Sequence, residues 1–243
     1  MCGRFTLRTP ASNLAGWFLQ TSINLNFPEL RPRFNIAPSQ LIACVRKTSL
    51  GESEFEVANL QWGLVPSWSK DGKAVYSMIN ARAETIHEKP SFRSAFRSRR
   101  CLLVADGFFE WIREGKVKRP FYITMADDQP FCMAGIWERW TKGTEVIEST
   151  AIVTTSANSL MAPIHDRMPV VLPQAEARRW LEADVPAARN GDPASSEQCE
   201  LALSSLRELL RPFPSEAMAA REVSTFVNSV RHESPDCIAP LLL

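Results

Sequence analysis

What this 243-residue sequence has little of narrows its function before any motif is read. It contains three histidines, His87, His165 and His232, and its six cysteines, Cys2, Cys44, Cys101, Cys132, Cys199 and Cys237, lie at wide intervals with no C-x-x-C pair. A structural zinc site draws four such ligands from closely spaced pairs, so neither a metal nor another cofactor is expected. No apolar run reaches the roughly 18 residues of a membrane-spanning helix. The first residues also lack the charged region, apolar stretch and small-residue cleavage site of a secretory signal, and a lipoprotein anchor would need that same stretch. The expected setting is the reducing cytoplasm, with free thiols, no membrane and a monomeric chain. Net charge is nearly absent as well, since 28 Lys plus Arg against 27 Asp plus Glu leave +1. Any polyanion site must therefore come from local clustering, not from the field of the whole molecule. Lysine is scarce, 7 against 21 arginines, and Arg93, Arg97, Arg99 and Arg100 fall within eight residues. A planar guanidinium suits bidentate phosphate contacts better than an ammonium does, which makes this cluster a candidate anion site.

The 45% hydrophobic content supports a sizeable core, and the length suits one domain spanning residues 1–243. Short runs rich in β-branched and aromatic residues predict strands at 41–45, 55–64, 101–105, 108–113, 121–125, 131–137, 147–155, 170–172 and 223–227. Glu114-Gly115-Lys116 reads as a hairpin turn between two of them. Helices are predicted at 14–20, 91–99, 174–182 and 199–210, and the Pro-, Ala-, Ser- and Gly-rich residues 186–198 read as a loop insertion. The sum is an α+β domain with a largely antiparallel sheet, curled or closed into a barrel-like core, flanked by helices.

Four places set reactive side chains where a purely structural role is awkward. The first is Cys2: loss of Met1 leaves an amine and a thiol on one residue. Such a 1,2-aminothiol condenses with an aldehyde to a Schiff base, which the sulfur then closes to a five-membered thiazolidine. Reference pKa values of about 7.7–8.0 and 8.5 leave a useful fraction of each group nucleophilic near neutrality. The second is Asn80-Ala81-Arg82-Ala83-Glu84, whose polar residues share one face if the run is extended. The third is Glu110 in Ala105-Asp106-Gly107-Phe108-Phe109-Glu110-Trp111, a carboxylate among aromatics whose pKa should rise and allow it to hold a proton near neutrality. The fourth is His165 in Pro163-Ile164-His165-Asp166-Arg167-Met168-Pro169, a histidine in a turn made rigid by prolines and a candidate acid/base group.

These segments together resemble the SOS response-associated peptidase family, also called abasic-site processing proteins. The resemblance rests on MCGRF at the start, RFNIAP at 33–38, WGLVPSW at 62–68, INARAET at 79–85, ADGFFEW at 105–111, IHDRMPVVL at 164–172 and a weaker VSTFVN at 223–228. It implies a barrel-like domain that binds single-stranded DNA and joins covalently to ring-opened abasic sites through Cys2. On that resemblance Asn80 orients the sugar or the N-terminus, Glu110 shuttles protons and His165 protonates the sugar ring oxygen. Arg4 and Arg82 hold flanking phosphates, Trp68 stacks on a base, and Asn35 supports the DNA-binding set from a second layer. The 186–198 segment and the tail after Ser229 depart from the family pattern.

Two other functions remain open on the residues alone. Cys2 could serve as an N-terminal nucleophile of a thiol peptidase, with Asn80 or backbone amides as oxyanion hole. Alternatively, the seven tryptophans and the arginines could form a non-catalytic module for single-stranded nucleic acid.

Overall fold

The computed structural model describes residues 2–48, 54–73, 78–115, 117–186 and 193–241. In chain order, the strands and α-helices of these residues are β1 (Arg4–Leu7), α1 (Ala11–Leu19), β2 (Arg33–Ile36), β3 (Leu41–Lys47), β4 (Phe55–Trp62), β5 (Asn80–Arg82), α2 (Arg93–Ser98), β6 (Arg100–Ala105), β7 (Gly107–Glu114), β8 (Val117–Met125), β9 (Phe131–Lys142), β10 (Glu145–Ser156), β11 (Arg167–Pro169), β12 (Val171–Leu172), α3 (Gln174–Glu182), α4 (Pro193–Arg207) and β13 (Met218–Glu222). Strand β10 closes a five-stranded barrel: it pairs antiparallel with β9 and parallel with β4, and β4, β3, β6 and β9 complete the circuit through antiparallel ladders. Closure removes the exposed edges that an open sheet of these apolar strands would present. The expected barrel-like α+β core is thus observed, and the parallel contacts of β10 with β4 and β5 are the exceptions to its antiparallel character.

A second sheet, ordered β13-β8-β7-β1-β2, lies beside the barrel. Gly107 opens β7 because the Tyr122 ring occupies the space above it: a Cβ there would meet Tyr122 Cζ at 2.4 Å. Gly115, at φ +61°, turns the β7–β8 hairpin with a backbone that side chains rarely adopt. Most buried apolar residues form one continuous core, while Phe109, Tyr122, Val223, Val227 and Cys237 make a satellite beneath the C-terminal segment.

Two expectations need correction. Residues 193–198 are not a loop. They are the first turns of α4, which begins at Pro193 because proline is favoured at the first helical position, where its missing N–H costs nothing; residues 187–192 lie outside the described set. Residues 223–227 are not a strand either: β13 ends at Glu222, Val223 makes one bridge to Pro240, and Ser224 accepts the Phe226 amide at 3.2 Å to start a 3₁₀ turn over Thr225–Asn228.

Half of the arginine cluster is structural as well. Arg99 pairs with Glu138 at 2.8 Å, and the buried Arg100 donates to Trp180 O at 2.7 Å, Phe96 O at 2.9 Å, Arg97 O at 2.6 Å and Ala183 O. Those carbonyls end α2 and α3, so one guanidinium fastens both helices to β6 and meets the negative ends of their dipoles. Burial lowers its pKa to about 10, which leaves it charged near neutrality. Replacing Arg100 by Met is expected to destabilise the fold by about 3–5 kcal/mol, because several buried carbonyls lose a charged donor together. Arg100→Lys should recover little, since one ammonium does not span two helix ends. Urea unfolding measures both; a midpoint for Arg100→Met equal to that of the parent chain would remove this role.

Candidate functional site

Strand β1 carries the Cys2 end of the chain into the second sheet. Strand β1 pairs with β7 in the register Arg4↔Phe109 and Phe5↔Phe108, so continuing one step sets Gly3 opposite Glu110. From the barrel side, β5 lies parallel to β10, with Asn80 beside Ile152, and Trp62 fixes the preceding turn by donating from Nε1 to Ile79 O at 3.0 Å. The two sheets meet at a cavity of about 420 Å³ lined by Gly3, Arg4, Ile79, Glu110, Trp111, Arg113, Lys118, His165 and Asn228.

Cys2 is fully buried, next in the chain to Gly3 of that lining. Its carbonyl accepts from Asn80 Nδ2 at 2.9 Å, and its thiol faces Arg4 O at 3.9 Å. Burial and then the negative charge of Glu110 push the thiol pKa far up, so the sulfur is held protonated. Asn80 is itself buried, and its Oδ1 has no hydrogen-bond partner among the described residues. A buried carbonyl oxygen left open costs free energy, and here it marks a place for an N–H or O–H donor.

Glu110 is buried, and burial raises its carboxyl above the ordinary range; nearby positive charge, His165 included, offsets this only in part. His165 is held by a turn in which the amides of Ile164 and His165 both donate to Met161 O. The Arg167 amide donates to its Nδ1 at 2.9 Å, and the Asp166 carboxylate lies 2.8 Å from the same nitrogen. Arg167 also makes a bidentate pair with Glu84, at 2.5 and 2.9 Å, tying the His165 turn to the segment after β5.

The structure thus brings Cys2, Asn80, Glu110 and His165 together from four distant segments. The other marked residues fare differently. Strand β5 spans three residues, so the shared face ends before Glu84, which sits in the following turn. Arg82 is exposed at the end of β5 and Trp68 is 64% exposed on the loop after β4; neither lines the cavity. Arg4 lines it, but its guanidinium donates to Asn35 Oδ1 at 2.6 Å, Val227 O at 2.9 Å and Asn228 O at 3.4 Å. Asn35 is fully buried, which excludes direct DNA contact, and its Nδ2 holds Ser229 O at 2.9 Å and His232 O at 2.8 Å. Arg4 and Asn35 together clamp the C-terminal segment that walls the cavity. Asn35→Ala is accordingly expected to cost about 2–3 kcal/mol in thermal or urea unfolding, from buried carbonyls left open. Arg113, Lys118, Trp111 and Asn228 were not among the marked residues; the hairpin signal placed the two cations on opposite strands, but their position at the cavity is a tertiary fact.

This barrel, with a buried cysteine at position 2 beside a cavity lined by a buried glutamate and a loop histidine, belongs to the SOS response associated peptidase (SRAP) family, whose profile matches residues 1–230. Among its relatives, the abasic site processing protein YoqW of Bacillus subtilis is 39% identical over 98% of this chain and 99% of its own length. The abasic site processing protein HMCES of Gallus gallus is 32% identical over 88% of this chain and 67% of its own. A crystal structure of a Bacteroides thetaiotaomicron protein superposes with a TM-score of 0.74 at 28% identity, covering 99% of this chain and 100% of that one.

Proposed function

We propose that this protein processes abasic sites in single-stranded DNA by forming a covalent thiazolidine with the ring-opened deoxyribose. The observation that carries the reading is the juxtaposition of Cys2 with Asn80 and Glu110, beside a cavity that Glu110 and His165 line together with cationic residues. The names of the relatives above give the substrate class.

The step balances as follows. Met1 is first removed, freeing the α-amine of Cys2. That amine adds to the C1′ aldehyde, and the carbinolamine loses water to give an imine. The Cys2 sulfur then adds to the imine carbon while its proton passes to nitrogen, closing the ring; the net reaction is aldehyde plus aminothiol to thiazolidine plus one water. Nitrogen attacks first on this reading because the buried thiol is held protonated. Glu110, with its raised pKa, donates a proton to the departing hydroxyl and then accepts one from sulfur. His165 protonates the sugar ring oxygen as the furanose opens. The open Oδ1 of Asn80 accepts a hydrogen bond from the N–H of the reacting nitrogen, and Arg82 and Trp68 meet the flanking strand outside the cavity. The product holds carbon by two bonds, which shields the site from strand cleavage.

A thiol peptidase fits these residues less well. An oxyanion hole needs the Asn80 amide aimed at a substrate carbonyl, and its Nδ2 is instead bonded to the carbonyl of Cys2 itself. Incubating the protein with an oligonucleotide carrying one abasic site, followed by a denaturing gel and intact mass, tests the proposal. A heat-resistant band is expected, with the mass of the chain lacking Met1 plus the oligonucleotide minus one water. Peptide cleavage without that band favours the peptidase, and salt-sensitive native binding alone favours a non-catalytic module.

A further inference from the structure

The β7–β8 hairpin bears a pair of cations that the fold alone does not justify. Arg113 and Lys118 are direct cross-strand partners, so their side chains leave the same face of the ribbon. Like charges so placed oppose hairpin formation unless an anion lies between or above them. The nearest acids do not serve: Arg119, facing Ile112 across the ladder, takes Glu114 at 2.9 Å and Glu222 at 2.5 Å. Among the described residues, neither Arg113 nor Lys118 makes an ion pair, and both are exposed at the rim of the cavity that holds Glu110 and His165. The same ribbon face continues inward through Trp111, whose Nε1 donates to Asn228 Oδ1 at 2.7 Å and fixes the wall between the cation pair and Arg4.

We infer that Arg113 and Lys118 form a phosphate clamp for the nucleic-acid strand where it leaves the cavity past the C-terminal segment. A phosphodiester has the charge and the oxygen geometry to bridge a guanidinium and an ammonium side by side. Arg4 is committed to the Asn35 side chain and the carbonyls of Val227 and Asn228, which leaves the hairpin as the cation source on this side of the site. Arg82, at the end of β5, lies on a different element, so a strand held by both has its reactive sugar between two anchored phosphates. This clamp rests on the reading of the site as one for single-stranded DNA.

The test compares the full chain with its Arg113→Gln/Lys118→Gln double variant in fluorescence-anisotropy binding to an undamaged single-stranded oligothymidylate over a range of NaCl concentrations. Each phosphate contact on a single strand adds about 0.7 to the slope of log K against log salt, so the double variant, which loses the one bridged phosphate, is expected to lose about 0.7 from the parent slope. Arg139→Gln, on β9 away from this cavity, removes a similar charge and should leave the slope unchanged. A double variant with the parent slope, or an Arg139→Gln variant that loses as much, overturns the clamp while a normal adduct leaves the reaction standing. A lowered slope in a protein that forms no adduct has the opposite meaning: the clamp holds and the chemistry fails. No measurable binding by the parent chain overturns both.

Discussion

Cys2→Ala is expected to abolish the heat-resistant adduct, and so is any form of the chain that keeps Met1 or carries residues before it. The two lesions remove different atoms. Alanine leaves the amine, which can still make an imine, but an imine hydrolyses and does not survive denaturation with heat. An N-terminal extension leaves the sulfur and turns the amine into an amide, whose lone pair is delocalised and does not attack an aldehyde at neutral pH. The rest of the site should survive both changes, because Asn80 bonds the backbone carbonyl of residue 2 and not its side chain. Loss of adduct with retained affinity for undamaged single-stranded DNA is therefore the expected outcome for Cys2→Ala. Trapping with borohydride should then capture that variant's imine but not the extended form. A normal yield of heat-stable adduct from either protein would contradict the thiazolidine.

The members of the candidate site stand out in the sequence because they are anomalous locally. A carboxylate inside Gly-Phe-Phe-Glu-Trp, a histidine between prolines and a cysteine at position 2 each violate the expectation set by their neighbours. What surrounds the centre was less legible. Arg4 and Asn35 find their partners at Val227, Asn228, Ser229 and His232, some two hundred residues along the chain, and nothing near either residue marks that they act as a clamp on the tail. Arg113 and Lys118 look like ordinary charges at a hairpin tip until their register and the commitment of Glu114 elsewhere are known. The crowded Arg93–Arg100 stretch misled in the opposite direction: two of its guanidinium groups serve Glu138 and four helix-end carbonyls, because a helix terminus needs donors as much as a phosphate does. Strand periodicity located the barrel strands well, since alternation is a local property. Closure through the parallel β10–β4 contact depends on which strands meet, a fact that no window of residues contains.

Glu110→Gln separates catalysis from folding more sharply than any other single change. Its adduct rate is expected to fall by about two to four orders of magnitude, the usual worth of a positioned acid/base group. Glutamine keeps the shape and one acceptor but neither gives a proton to the departing hydroxyl nor takes one from sulfur. Affinity for undamaged DNA should change little, because the phosphate contacts lie at the rim. Stability should move the other way. Burial raises the Glu110 carboxyl in the folded chain above its unfolded value, so between those two values the native state binds more protons than the unfolded state. Stability is then fully present below the ordinary carboxyl range and declines as pH rises through the raised value. Glutamine removes that titration, which should leave the variant with a flatter stability profile and a higher Tm than the parent chain near neutral pH. A variant that reacts and reverses at the parent rate would take Glu110 out of the mechanism. One that is slow yet melts lower than the parent at neutral pH would mean that the carboxylate holds the site together, and that its proton is not the source of the rate.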